Sequence, residues 1–192
     1  MKIGLLFGSF DPIHIGHIAI ATTILNAKVV DKVLFVVAAQ NPWKDRKATD
    51  FNIRCSMVHQ SIQGISNVDI STDEMLIEQP SYTYKTIDAI RKKHEPNDKF
   101  FLIGGSDVIN TMSKWKNFKE GISPYVEFIG VGKKLEDIDD FVDNHKVVKV
   151  EMPPILIHST HIREMARDGK MLFPLVTMET EEIIRNHQLY KD

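Results

Sequence analysis

The sequence predicts an α/β fold with a doubly wound, Rossmann-like parallel sheet. Six short apolar runs alternate with longer amphipathic segments along the 192 residues. Runs this short and this apolar are typical of parallel strands buried on both faces, and their alternation with helices is typical of a doubly wound sheet. The predicted strands are 3–7, 33–38, 68–70, 100–103, 126–131 and 147–150. The predicted helices are 16–26, 51–63, 82–94 and 159–168, with a further helix near 180–186.

Composition limits the function classes that fit this chain. With 43% hydrophobic and 26% charged residues, residues 1–192 are expected to form a single domain. The net charge of -2 argues against a nucleic-acid partner. No apolar run reaches the length of a membrane span or a signal-peptide core, so we expect a cytoplasmic protein without a membrane partner. The oligomeric state stays open. The polar segment 133–144 is expected to be a solvated helix or loop without chemistry.

The loop after the first strand reads GSFDPIHIGH at residues 8–17. Gly8 permits a tight turn there, and Asp11 and the proline after it suit a helix start, where unpaired N–H groups favour phosphate. His14 and His17 are three residues apart, which places both rings on one helical face. Gly16 between them leaves room for a ligand. Taken alone, the two histidines could equally be polar surface residues or half of a metal site.

A second phosphate-binding pattern lies near the other end of the chain. Ser159, Thr160 and Arg163 occur where an apolar run gives way to a predicted helix. Two hydroxyls, free helix amides and a fixed positive charge together suit a triphosphate, although an ordinary helix cap would read the same way.

Both patterns resemble the HxGH nucleotidyltransferase superfamily. Residues 8–17 match its [ST]-F-D-P-x-H-x-G-H motif, and residues 157–163 match its I-S-[SA]-T-x-I-R motif except that His158 replaces the first serine. The resemblance implies that ATP is bound by residues of both motifs. These are Gly8, Ser9, Phe10, His14, His17, Ser159, Thr160 and Arg163.

The middle of the chain resembles the nicotinate-nucleotide adenylyltransferases of that superfamily. Residues 80–86 match P-S-Y-T-x-x-T with Glu74 upstream, residues 105–107 and Trp115 match its G-x-D and W elements, and residues 41–44 match its P-x-K loop. The resemblance implies that Gly105 and Asp107 also bind ATP. It assigns the second substrate to Lys44, Tyr82, Thr83 and Trp115. On their own, Ser81 could be only a helix cap and Trp115 only a core residue.

The reaction that this resemblance implies is transfer of AMP from ATP to nicotinate mononucleotide in NAD biosynthesis, with release of pyrophosphate. Its catalytic residues would be His14, His17, Lys44 and Arg163. Mg²⁺ would be bound mainly through the ATP phosphates, without a dedicated metal site on the protein. Nicotinamide mononucleotide or phosphopantetheine as the acceptor, or a catalytically silent nucleotide-binding module, stay open as alternatives.

Overall fold

The computed structural model describes residues 1–39 and 48–191. In chain order its strands are β1 (Lys2–Gly8), β2 (Lys32–Val37), β3 (Val68–Ser71), β4 (Lys99–Gly104), β5 (Val126–Gly132), β6 (Phe141–Val142), β7 (His145–Lys146) and β8 (Val148–Glu151). Six of them form one parallel sheet in the order β3-β2-β1-β4-β5-β8, and β6 pairs with β7 in a separate antiparallel hairpin. All six predicted strands are therefore confirmed.

Helices cover both faces of this sheet. They are α1 (Ile15–Asn26), α2 (Phe51–Ile62), α3 (Thr83–Arg91), α4 (Ser106–Ile109), α5 (Phe118–Gly121), α6 (Ser159–Arg167) and α7 (Met178–Asn186). One apolar core lies between the sheet and α1, α2, α6 and α7, and a second lies between the sheet and α3, α4 and α5. The strands supply both cores because successive side chains point to opposite faces. In β1, Leu5 belongs to the second core and Leu6 to the first. The predicted doubly wound fold is confirmed, and the short helices α4 and α5 were not predicted.

The polar segment 133–144 contains a 3-10 turn at Leu135–Asp137 and the short strand β6, with loops around them. It is less solvated than predicted, because Ile138 and Val142 are only 2% and 4% exposed. A Cβ on Gly130 of β5 would lie 2.6 Å from Ile138 Cγ2, so the missing side chain of Gly130 admits Ile138 to the core. Isolated apolar residues among aspartates gave no periodic signal for this packing.

Strand order reverses between β1 and β4, which lie side by side at the centre of the sheet. In open α/β sheets, ligands bind in the crevice at the carboxyl ends of the strands where the order reverses. The loop after β1 carries the first motif, and the loop after β4 carries Gly105 and Asp107. Within the described residues, no helix is long and apolar enough to cross a membrane.

Candidate active site

The loop between β1 and α1 turns through Phe10, which has a positive φ of 46° and is buried. A non-glycine residue adopts this conformation only when its surroundings hold it there. The Phe10 ring packs against Phe35 and meets the His17 ring edge-on, with centroids 5.0 Å apart. A Cβ on Gly8 would lie 2.8 Å from the Phe10 ring. Gly8 belongs to β1 and serves to admit this ring, so its predicted role as a turn glycine is corrected.

The two histidines of the motif lie close together at the start of α1, with their rings tilted by 31°. His14 is the N-cap residue, and the His14 and His17 ring centroids are 3.8 Å apart. The backbone N–H of His14 donates to Nδ1 of His17 at 3.3 Å. Because this bond requires an unprotonated Nδ1, the neutral His17 ring carries its proton on Nε2, where it can donate to a ligand.

Gly16 makes room for the His14 ring rather than for a ligand, which corrects the sequence interpretation. A Cβ on Gly16 would lie 3.0 Å from Nδ1 of His14. That nitrogen is buried and has no hydrogen-bond partner among the described residues. Packing against His17 and Gly16 therefore holds the His14 ring in place.

Burial makes both imidazoles weak bases. Desolvation, together with a smaller contribution from the neighbouring His158, lowers the pKa of His14 to about 4. Desolvation lowers the pKa of His17 to about 3, with a smaller contribution from His14. Both rings are neutral hydrogen-bond donors near pH 7, and a bound polyanion would favour their protonated forms.

The expected capping role of Asp11 is wrong. The N-cap is His14, and the buried Asp11 carboxylate bonds to other parts of the chain. Its Oδ1 instead accepts from the Tyr190 hydroxyl at 2.7 Å, and its Oδ2 accepts from the Thr49 N–H at 3.3 Å. Asp11 thus ties the first motif to two distant parts of the chain.

The second motif docks directly on the first. The Ser159 hydroxyl donates to the Pro12 carbonyl at 2.9 Å, and Nη1 of Arg163 donates to the Asp11 carbonyl at 2.8 Å. Nη2 of Arg163 donates to the Thr160 hydroxyl at 3.1 Å. The fixed charge of Arg163 therefore lies against the loop that leads to the histidines. In this arrangement the Ser159 and Arg163 side chains join the two motifs, in addition to any contact with phosphate.

Arg54 of α2 is a component of the site that the sequence analysis missed. It is 1% exposed and donates to four backbone carbonyls around the first motif. The acceptors are Ser9, Ala38, Ala39 and Thr49. An arginine in an amphipathic helix pattern reads as a surface residue, so the sequence carried no signal for this role.

Glu74 holds the segment 80–86 in place through hydrogen bonds. Its buried carboxylate accepts from the Ala39 N–H at 2.9 Å, the Ser81 hydroxyl at 2.8 Å and the Thr86 hydroxyl at 3.1 Å. The N-cap of α3 is Tyr82, so the alternative that Ser81 is a simple helix cap is wrong. The carboxylate therefore joins the end of β2 to the segment proposed to hold the second substrate.

Tyr82 and the segment after α4 lie close together. The Lys116 Nζ is 4.0 Å from the centroid of the Tyr82 ring, a cation–π contact. Trp115 is half-buried and packs against the second core on one side. Asp107 is exposed in the first turn of α4. Lys44 and the rest of the 41–44 loop fall outside the described residues.

Residues 5–165 match the family described as Cytidylyltransferase-like. A probable nicotinate-nucleotide adenylyltransferase of Cytophaga hutchinsonii is 34% identical, with 100% of both chains covered. Another from Halalkalibacterium halodurans is 35% identical, covering 99% of this chain and 91% of the relative. The chain belongs to the nicotinate-nucleotide adenylyltransferase family.

Two solved structures share its fold. Plasmodium falciparum nicotinic acid mononucleotide adenylyltransferase complexed with NaAD superposes with a TM-score of 0.77 at 21% identity, covering 99% of this chain and 97% of that one. A putative nicotinate-nucleotide adenylyltransferase from Vibrio parahaemolyticus gives a TM-score of 0.70 at 22% identity, covering 100% and 96%. Both structures match nearly the whole length of this chain and share its doubly wound fold.

The chemistry available at this site is charge stabilisation. The imidazoles and Arg163 can face phosphate oxygens, and within residues 1–39 and 48–191 no three His, Cys, Asp or Glu side chains cluster in a way that could hold a metal ion. Such a donor set suits transfer of a phosphoryl or nucleotidyl group, where positioning and electrostatics supply most of the catalysis.

Proposed function

We propose that this protein transfers AMP from ATP to nicotinate mononucleotide, forming nicotinate adenine dinucleotide and pyrophosphate. The observation that carries the proposal is the pair of imidazoles 3.8 Å apart at the start of α1, with Arg163 docked on the same loop. Family membership over the full chain supports the choice of nucleotide chemistry and of acceptor.

In the proposed reaction a phosphate oxygen of nicotinate mononucleotide attacks the α-phosphorus of ATP. The bond from that phosphorus to the oxygen bridging to the β-phosphate breaks, and pyrophosphate leaves. The protein must bring two anions together in line and offset the charge that grows on the bridging and equatorial oxygens. No covalent intermediate on the protein is needed.

Each polar side chain has a separate task in this scheme. Nε2–H of His17 donates to the α-phosphate, where negative charge increases in the transition state, and His14 donates to neighbouring phosphate oxygens. Arg163 faces the triphosphate and the departing pyrophosphate, and its bond to the Asp11 carbonyl orients it toward the histidine loop. Lys44 is assigned to the same phosphates on the sequence motif alone. Gly8, Ser9, Phe10, Gly105, Asp107, Ser159 and Thr160 complete the proposed ATP site.

Nucleotidyltransferases of this family generally act on ATP with a divalent metal ion. We assign Mg²⁺ to the ATP phosphates, because a hard cation prefers phosphate and water oxygens to the nitrogen donors found here. The ion supplies charge neutralisation on the triphosphate. The protein contributes the imidazole and guanidinium donors.

The acceptor is assigned to the opposite side of the crevice. Tyr82 and Thr83 begin α3, and Trp115 offers an indole face that can stack on a pyridine ring. The Glu74 carboxylate holds the start of α3 in place, through Ser81 before the helix and Thr86 within it.

The deciding experiment measures pyrophosphate release by the purified protein from ATP and Mg²⁺ with each candidate acceptor. We expect release with nicotinate mononucleotide at least about tenfold above that with nicotinamide mononucleotide, because closely related substrates are separated by differences of a few kcal/mol. Release only with phosphopantetheine would replace the proposed acceptor. ATP binding without release for any acceptor would make the protein a silent nucleotide-binding module.

A further inference from the structure

Tyr190 lies close to the first motif although 179 residues separate it from Asp11 along the chain. Helix α7 ends at Asn186, and the chain then turns through Gln188 with a positive φ of 52°. The N–H of Leu189 bonds back to the Ile184 carbonyl at 2.9 Å, which closes the helix end. This turn directs Tyr190 toward the loop after β1.

Helix α7 gives Tyr190 a rigid base. The buried hydroxyls of Ser61 and Thr180 lie 2.8 Å apart and join α2 to α7. Tyr190 itself is half-buried and packs against the first core. Because this packing holds the Tyr190 ring in place, its hydroxyl can hold the group that accepts its hydrogen bond.

The acceptor of that hydrogen bond is central to the first motif. Asp11 receives Tyr190 and the Thr49 N–H on its two carboxylate oxygens, and receives Arg163 on its carbonyl. It lies between Phe10, whose positive φ needs support from its surroundings, and the proline that leads to His14. Burial and the adjacent Asp11 charge raise the pKa of the Tyr190 hydroxyl, which keeps it protonated as a donor.

We propose that Tyr190 is a positioning residue of the active site: its hydroxyl, by donating to Asp11 Oδ1, fixes the loop that carries His14 and receives Arg163. The inference rests on the proposed function, since the loop is the proposed ATP site. It extends the functional unit to the residues after α7, which lie outside both sequence motifs. Tyr190 touches no reacting atom in this scheme and acts through Asp11.

The test compares Tyr190→Phe with wild type in two measurements, steady-state turnover with ATP and nicotinate mononucleotide, and calorimetric binding of MgATP without an acceptor. Phenylalanine keeps the ring in the core and removes only the hydroxyl. We expect kcat to fall about tenfold and the Kd of MgATP to rise about fivefold or more, because hydrogen bonds to charged groups are among the stronger ones. KM for nicotinate mononucleotide should stay within about twofold of wild type, since the acceptor side is untouched.

Tyr125→Phe is the matched control. Tyr125 is 42% exposed, its ring stacks under Arg91, and it lies at the amino end of β5, away from the carboxyl ends of the strands. Removing its hydroxyl should leave turnover and MgATP affinity unchanged. Circular dichroism and thermal unfolding of each variant separate loss of fold from loss of positioning.

A double-mutant cycle tests whether Tyr190 acts through Asp11. In an Asp11→Ala background, adding Tyr190→Phe should lower kcat by no more than about twofold, because the partner is already gone. A further tenfold loss in that background would overturn the proposed route.

Wild-type kcat and MgATP affinity in folded Tyr190→Phe would overturn the proposal itself. If the wild-type protein releases no pyrophosphate with any acceptor, the proposed function fails, and MgATP affinity alone then decides the role of Tyr190. Equal affinity in wild type and Tyr190→Phe would contradict it.

Discussion

At the scale of single residues, the His14 and His17 rings are held neutral and close together before any nucleotide arrives. Burial lowers the pKa of both rings far below neutrality, and the His14 N–H fixes the tautomer of His17. Neutral donors cost less to bury than imidazolium ions. In the proposed function the triphosphate meets donors that are already oriented, which is the arrangement that makes electrostatic catalysis effective.

This arrangement predicts a pH-dependent loss of stability in the free protein. Because the folded pKa of His14 is about 4, the unfolded chain binds more protons than the folded chain between about pH 4 and 6.5. The free energy of unfolding should therefore fall as the pH drops through that window. His14→Gln should remove about 1–2 kcal/mol of the fall between pH 7 and pH 5, measured by urea denaturation at each pH. His161→Gln, at an exposed position of α6, is the control and should leave the fall unchanged. An identical fall in His14→Gln and wild type would contradict a neutral buried His14.

The first motif could be recognised from the sequence, but the structural roles of several of its residues could not be predicted. The spacing of the two histidines predicted that their rings would meet, and they do. Gly8 and Gly16 were interpreted as space for a turn and for a ligand, whereas they accommodate the Phe10 and His14 rings. Asp11 was interpreted as a cap because capping is a local pattern, and its partners Thr49 and Tyr190 come from far along the chain. Local pattern carries no information about such long-range partners.

At the scale of elements, α2 supports the loop between β1 and α1. The Arg54 side chain extends from this helix. It donates hydrogen bonds to backbone carbonyls in the loop after β1, at the end of β2 and in the segment before α2. A guanidinium with five donors can satisfy several carbonyls that strand ends leave without a partner. The sheet edge and the helix are joined by charge-assisted bonds as well as by apolar packing.

Arg54→Met should therefore be strongly destabilising although it replaces a charged side chain with an apolar one of similar length. We expect the free energy of unfolding to fall by about 3 kcal/mol, because several buried carbonyls lose their donor together. Denaturant unfolding measures the change. Arg167→Met on the exposed face of α6 is the comparison variant and should change stability by less than about 0.5 kcal/mol. A loss below about 1 kcal/mol in Arg54→Met would show that the carbonyls find other donors.

The elements themselves were predictable because their signals are local. Short apolar runs marked each strand of the six-stranded sheet, and amphipathic segments marked each long helix. The two-residue strands β6 and β7 were not predicted, because strands this short show no apolar run. The four-residue helices α4 and α5 escaped prediction because they are too short to show a helical period. The burial of Ile138 was missed for a different reason, since it depends on the small Gly130 of a neighbouring strand.

At the scale of the whole molecule, the candidate active site joins two distant parts of the chain at the point where strand order reverses. Residues 9–14 follow β1, and residues 158–163 begin α6 after β8, yet Ser159 and Arg163 donate directly to Pro12 and Asp11. In the proposed function, the two motifs bind the triphosphate together. The fold brings them into contact because parallel strands end at the same edge of the sheet.

This coupling predicts that MgATP orders both motifs at once. Hydrogen exchange followed by mass spectrometry should show slower exchange in peptides covering 9–14 and in peptides covering 158–163. Protection of the two groups of peptides should rise over the same range of MgATP concentration. Peptides of the β6 and β7 hairpin serve as the internal control and should exchange at an unchanged rate. Protection confined to one motif would contradict a shared site.

The proposed role of His14 and His17 in AMP transfer is tested most directly by the rate at which His17→Ala forms nicotinate adenine dinucleotide. His161→Ala, an exposed histidine on α6, is the matched control and should keep wild-type turnover. We expect kcat of folded His17→Ala to fall by about a hundredfold or more, as when one donor to transition-state charge is lost. Near-normal turnover in a folded His17→Ala protein would contradict the account.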